Sequence, residues 1–173
     1  MASVGAHSTK QALELAHDAA AAGANYLLVL PPAYFGNATN LSGVKGLFAD
    51  VARQSPLPVL IYNFPGVCNG VDIESETITE IVRESAAVSP SGVSNVVGVK
   101  LTCGSVGKIT RLAATFGLSE FAIFGGQSDF LIAGLTVGSA GCISAFANVF
   151  PRTAAKVYQL FISGKLADAM ELQ

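Results

Sequence analysis

Lys100 ends a short apolar run, Val96-Val97-Gly98-Val99-Lys100-Leu101. An amine at the end of a buried strand is costly to take out of water. Held in a partly dry pocket, it loses affinity for its proton and becomes a nucleophile toward carbonyl carbon, the chemistry of a lysine Schiff base. The ordinary alternative is a strand-end lysine that snorkels its ammonium into water, and the position alone leaves both open. Tyr62 closes an earlier apolar run, just before Asn63-Phe64-Pro65-Gly66. A phenol there can relay a proton to and from a substrate oxygen, or can simply hydrogen-bond the backbone. Gly125-Gly126 follows another apolar run. Glycines there form a tight turn, or let backbone N–H groups approach and hold a carboxylate. Ile143 and Ser144 end the last run, and Tyr34 lies in the proline-rich loop after residues 26–30. Each is placed either to line the same mouth or to pack.

Short apolar runs alternate with helical stretches along the whole chain. The spacing predicts a strand tail at Val4-Gly5, then a helix over 9–22 capped by Ser8 and ended by Gly23. Strands are expected over 26–30, 58–62, 96–101, 121–124 and 140–144. The intervening helices are expected from Ser42 to about 54, over 75–84, 106–116 and 130–136, and then over 150–163 and from 166 onward. A loop is read between residue 30 and Asn40, and another over 87–95.

Continuous apolar strands separated by helices imply a parallel sheet, either open and doubly wound or closed as a (β/α)8 barrel. The open form usually announces itself by GxGxxG after an early strand, which is absent. A closed barrel needs about 250 residues, and this chain has 173. The expected fold class is therefore α/β, an incomplete (β/α)8 barrel with about strands 3 to 8 present and the first two βα units missing. Residues 1–173 are expected to form one partial barrel domain, with a C-terminal helical extension starting near 164–173. Strand alternation puts Val97, Val99 and Leu101 on one face and Gly98 and Lys100 on the other. The second face is the interior of a barrel, at the rim where barrel enzymes keep their catalytic groups.

Half of the residues are hydrophobic and 13% are charged, with a formal net charge of −2. Nothing in that balance calls for a nucleic acid or an anionic membrane as partner. Cys68, Cys103 and Cys142 form no CxxC pair, and His7 and His17 are the only imidazoles. A zinc site or disulfide framework is not expected, and reduced thiols fit a cytoplasmic protein. Residues 1–5 carry neither a basic start nor an apolar h-region of a secretory signal. The apolar stretch 121–150 contains Gln127, Asp129 and Asn148 and reads as buried strand, turn and helix rather than a membrane span.

As an ordered set, these segments resemble the dihydrodipicolinate synthase/N-acetylneuraminate lyase superfamily of class I aldolases. The set comprises Gly5-Ala6-His7-Ser8-Thr9-Lys10, Leu30-Pro31-Pro32-Ala33-Tyr34, Tyr62-Asn63-Phe64-Pro65-Gly66, Gly98-Val99-Lys100, Gly125-Gly126 and Gly141-Cys142-Ile143-Ser144. The resemblance runs over essentially the whole chain. It implies Lys100 as the Schiff-base lysine and Tyr62 as the proton relay. It implies Tyr34 as a tyrosine that reaches a neighbouring subunit's site. Gly126, Gln127, Ile143 and Thr102 are implied to line the substrate. The implied reaction cleaves a 2-keto-3-deoxy acid, a 2-oxo acid, to pyruvate and an aldehyde. No metal or cofactor is implied, because the imine supplies the electrophile, and the implied assembly is a homo-oligomer, a tetramer in full-length relatives.

Val67 stands where the synthase branch carries an arginine, and Lys100-Leu101-Thr102-Cys103-Gly104 looks like the fungal-type branch that acts on 2-keto-3-deoxy sugar acids or 4-hydroxy-2-oxoglutarate. The family's glycine- and threonine-rich turn for the pyruvyl carboxylate is not found in these residues. A synthase-like condensation and a non-catalytic partial barrel are the competing expectations.

Overall fold

The computed structural model describes residues 1–34 and 38–173, so the loop read before Asn40 lies partly outside the described residues. Two compact units divide it, Met1–Val99 and Lys100–Gln173.

In the first unit, β1 is Ala2–Ser3, α1 Thr9–Ala21, β2 Leu27–Val29, α2 Leu41–Gln54, β3 Val59–Asn63 and α3 Ser75–Val88. The Ser8 hydroxyl accepts from the Gln11 amide at 3.3 Å and starts α1, as its sequence position requires. Gly23, at φ 88°, turns the chain out of that helix. Strand β2 pairs in parallel with both β1 and β3, with Leu27 opposite Val59 and Val29 opposite Ile61. Leu27, Val29, Val59 and Ile61 are fully buried, which a parallel strand covered on its outer face demands. Helices α2 and α3 are neighbours, and each buries an apolar face, Val44, Leu47, Phe48 and Val51 on α2 and Ile78, Ile81 and Val82 on α3. Each such side chain contributes roughly 1.5–3 kcal/mol when fully buried.

Several boundaries differ from the sequence reading: β1 is Ala2–Ser3 rather than a tail at Val4-Gly5, and β3 is Val59–Asn63 rather than 58–62. At two helix ends the cause is local. Helix α2 begins at Leu41 because Asn40, not Ser42, caps it: the Asn40 carboxamide oxygen accepts from the Gly43 amide at 2.8 Å. Helix α3 runs four residues beyond Glu84, because Ser85 continues its buried face after Ile78, Ile81 and Val82. Alanines favour the continuation more than the nearby serines oppose it.

Strand β4, Val96–Leu101, closes the first unit and opens the second. The second unit continues with α4 Val106–Thr115, β5 Ala122–Gly125, α5 Leu131–Thr136, β6 Gly141–Cys142, a 3-10 turn Ala145–Asn148, α6 Pro151–Ile162 and α7 Leu166–Leu172. Leu131, Ile132, Val157, Leu160 and Ala169 form its helical core. Strand β6 is shorter than the expected 140–144. Gly141 sits at φ 145°, and the Ser139 hydroxyl bonds the local backbone, donating to Gly141 O at 2.7 Å and accepting from Gly141 N at 3.0 Å.

The hydrogen-bonded strand order is β1-β2-β3-β4-β5-β6. Neighbours in space that follow the chain in order, each pair joined through a helix, are the product of repeated βα units. Among the described residues there are six strands, where a closed barrel has eight. No helix among them is long and apolar enough to cross a membrane.

Candidate active site

Lys100 lies at the carboxyl end of β4, half-buried, between Val99 and Leu101, which have no exposed surface. The alternation holds at this end of the strand; further back, Val97 is half-buried and Gly98 buried, so both faces are largely covered there. The ladder then fixes which residues lie level with it. The Gly126 amide donates to Leu101 O at 2.9 Å, and the Ile143 amide donates to Gly125 O at 2.9 Å. Gly125 and Cys142 are paired in the β5–β6 register. The second unit therefore lines up the carboxyl ends of three adjacent strands, carrying Lys100, Gly126 and Ile143 in sequence.

Thr102, the second residue after Lys100, is nested against Gly126. A Cβ on Gly126 would overlap the Thr102 hydroxyl oxygen and fall 2.6 Å from its Cα. The Thr102 hydroxyl oxygen is buried and has no hydrogen-bond partner among the described residues. A buried hydroxyl without a partner is a cost that native proteins usually avoid, and it marks a place where another polar group belongs. Gln127 is exposed, and its amide oxygen would meet a Cβ on Gly104 at 3.9 Å, so it overhangs the turn that follows Thr102.

The two glycines, expected to form a tight turn or to approach a carboxylate, each make room for a side chain. Gly125 makes room for the Phe130 ring, which a Cβ there would meet at 2.9 Å. Gly126 makes room for Thr102. Its N–H is committed to Leu101 O, so it is not turned toward a ligand carboxylate in this arrangement. The sequence anticipated the need for close approach but not which groups approach.

In the first unit, Tyr62 is half-buried at the end of β3 and stacks on Phe64, with centroids 5.7 Å apart and planes at 28°. Tyr34 is 78% exposed, and its ring meets that of His7 edge-on, 5.9 Å away. Sequence reasoning assigns His7 no site role, although it stands in Gly5-Ala6-His7-Ser8-Thr9-Lys10, one of the segments that carry the resemblance. Cys68 is fully buried with its thiol toward Pro31 O at 3.8 Å, and burial pushes that thiol's pKa up. Burial also raises the Cys142 pKa, opposed by the hydrogen bond its thiol donates to the Ser144 hydroxyl.

The sequence pattern of the dihydrodipicolinate synthetase family matches residues 1–173. The chain belongs to this family. Among curated relatives, it is 64% identical over 172 residues to a protein of Coccidioides immitis named as a 4-hydroxy-2-oxoglutarate aldolase, mitochondrial, covering 99% of this chain and 52% of the relative. A protein of Emericella nidulans with the same aldolase name, also mitochondrial, is 41% identical over 98% of this chain and 52% of its own length. A solved dihydrodipicolinate synthase family protein from Coccidioides immitis superposes with a TM-score of 0.85 and 59% identity, covering 98% of this chain and 51% of that one. The chain thus spans about half the length of the relatives it matches. Its fold class is α/β, with six strands of the family's (β/α)8 barrel.

The same comparison corrects the expected location. Two fungal members of the family are named mitochondrial, which overturns the cytoplasmic expectation. Unpaired thiols report a reducing environment and carry no address. The segment 1–5 was read for a secretory h-region, and a mitochondrial transit segment is a different signal, amphipathic and rich in Arg and Ser.

Proposed function

We propose that this chain carries the imine-forming part of a class I aldolase that cleaves a 2-keto-3-deoxy acid, with 4-hydroxy-2-oxoglutarate as the first candidate substrate. The observation that supports this most is Lys100: a half-buried amine at a strand's carboxyl end, level with Gly126 and Ile143 on the next strands. The identity to relatives named for this aldolase narrows the substrate.

The Lys100 amine adds to the 2-keto carbon, and loss of water leaves a protonated imine. Tyr62 takes the proton of the C4 hydroxyl. The C3–C4 bond breaks, its electron pair flows into the imine to give an enamine, and the C4 fragment leaves as an aldehyde, glyoxylate for 4-hydroxy-2-oxoglutarate. Protonation of the enamine and hydrolysis return pyruvate and the free amine. The positive imine is the electron sink. Thr102, Gly126, Gln127 and Ile143 are the proposed lining. The buried Thr102 hydroxyl oxygen, which lacks a hydrogen-bond partner among the described residues, supports a polar contact to a substrate oxygen there. The high exposure of Tyr34 fits a side chain that serves a neighbouring copy in a homo-oligomer. The mitochondrial names of two relatives support a mitochondrial setting for the proposed activity.

The test is to incubate the folded chain with pyruvate and borohydride and map the mass adduct. An adduct on Lys100, absent in Lys100→Ala, supports the proposal. No adduct on folded protein sinks it for this chain and leaves the non-catalytic reading. A panel of 4-hydroxy-2-oxoglutarate and 2-keto-3-deoxy sugar acids then ranks substrates.

A further inference from the structure

Asn63 follows Tyr62 at the end of β3, and its side chain has no exposed surface. It is used completely. Its Oδ1 accepts from the Ile73 amide at 2.9 Å, and its Nδ2 donates to Asp72 Oδ1 at 2.7 Å and to Ile73 O at 3.4 Å. One carboxamide thus fastens the end of a strand to the residues just before α3, and closes residues 64–72 into a loop with both ends pinned.

Inside that loop lies the ring that touches Tyr62. Phe64 stacks on Tyr62, and Gly66 backs Phe64, since a Cβ there would meet the Phe64 ring at 3.1 Å. The loop holds itself through the Cys68 amide to Phe64 O at 3.1 Å and the Gly70 amide to Pro65 O at 2.9 Å. Side chains of adjacent strand residues point to opposite faces, so Asn63 can bind the loop on one face while Tyr62 is presented on the other.

We infer that Asn63 is a positioning residue: by clamping residues 72–73 to the end of β3, it fixes the backbone that aims the Tyr62 phenol and the Phe64 ring that supports it. The inference rests on the relay role proposed for Tyr62. A buried carboxamide with both ends bonded is stiff, and that stiffness extends to the preceding peptide. Proton transfer is sensitive to such aim, because a small misplacement of the reacting group costs rate without preventing binding.

The test uses the chain labelled with 13C at tyrosine Cζ. It has four tyrosines, and Tyr62→Phe identifies the relevant signal. Asn63→Ala is expected to split, shift or broaden the Tyr62 signal while those of Tyr26 and Tyr158 stay in place. Asp72→Ala, a surface change that leaves the Asn63–Ile73 bonds, is expected to move it less. A single unshifted Tyr62 signal in folded Asn63→Ala overturns the inference. If Asn63→Ala does not fold, Asp72→Ala decides, and an unmoved signal there overturns it.

The kinetic arm compares borohydride trapping at Lys100 with single-turnover cleavage. Trapping within about twofold of the parent, with cleavage slowed about tenfold or more, is the expected split for lost aim. Equal losses in both would make Asn63 a purely structural residue and overturn the inference. If Tyr62→Phe cleaves as fast as the parent, the relay proposal fails, while the NMR arm still reports whether Asn63 sets the ring.

Discussion

Gly126 and Thr102 share one space. With a Cβ on Gly126, the Thr102 Cα would be only 2.6 Å away, and Cα is backbone that no rotamer change can move aside. Gly126→Ala is therefore expected to force β4 and β5 apart at their carboxyl ends. Overpacking of this kind costs about 1–3 kcal/mol, readable as a lower urea midpoint. Because Lys100 is two residues from the displaced Thr102, pyruvate trapping should fall more than the stability loss explains.

Thr102→Val separates packing from chemistry. The Thr102 hydroxyl oxygen is buried without a partner among the described residues, so replacing it with a methyl of similar shape should hold or raise stability by up to about 1 kcal/mol. If the hydroxyl meets the substrate, the same variant should bind 2-oxo acid several-fold more weakly, and Thr102→Ser should recover the affinity. Equal KM in all three would remove Thr102 from the site.

Tyr62→Phe is expected to keep the Lys100 adduct and slow cleavage by about 10²–10⁴, the usual worth of a positioned acid–base group. Rapid-quench measurement of aldehyde release gives the answer. Full activity would end the relay role.

Lys45 on α2 lies 2.6 Å from Glu80 and 3.5 Å from Glu84, both on α3. The hydrogen bond to Glu80 does most to raise its pKa above 10.5, opposed by desolvation and aided by the charges of both glutamates. A raised lysine pKa in the folded state stabilises fully below the unfolded value and loses that contribution as pH rises through the folded one. Lys45→Gln should thus lower the urea midpoint slightly at neutral pH, and the gap to the parent should close above pH 10.5.

The cysteines should alkylate in a set order. Burial raises the Cys68 and Cys142 pKa values, leaving less thiolate at a given pH. Cys68 is also fully buried, whereas Cys103 is half-exposed just past β4. Iodoacetamide at pH near 8, followed by peptide mapping, should label Cys103 first and Cys68 last.

The strand that carries Lys100 was legible residue for residue, because a β-branched apolar run has one way to be buried. Elements defined by local side-chain bonds were less so. Asn40 outcompeted Ser42 as a cap through a bond that spacing alone does not rank. Strand β6 is assigned only to Gly141–Cys142, although the Ala140 and Ile143 amides on either side still donate to Ile123 O and Gly125 O.

The role of Asn63 was missed although its signal was present. Alternation puts it opposite Tyr62 and hence on a packed face, where a carboxamide must find partners. Asp72-Ile73, just before the next helix, is where such partners were to be sought. The N–H of Gly126 could not have been assigned from sequence, since its partner Leu101 is set by the register between two strands.

Strands β1 and β6, the first and last in the sheet order, are only two residues long. The margin of a sheet is a template, and a passing chain adds to it by reading a row of unpaired N–H and C=O groups. Two residues give too short a row for another strand to copy.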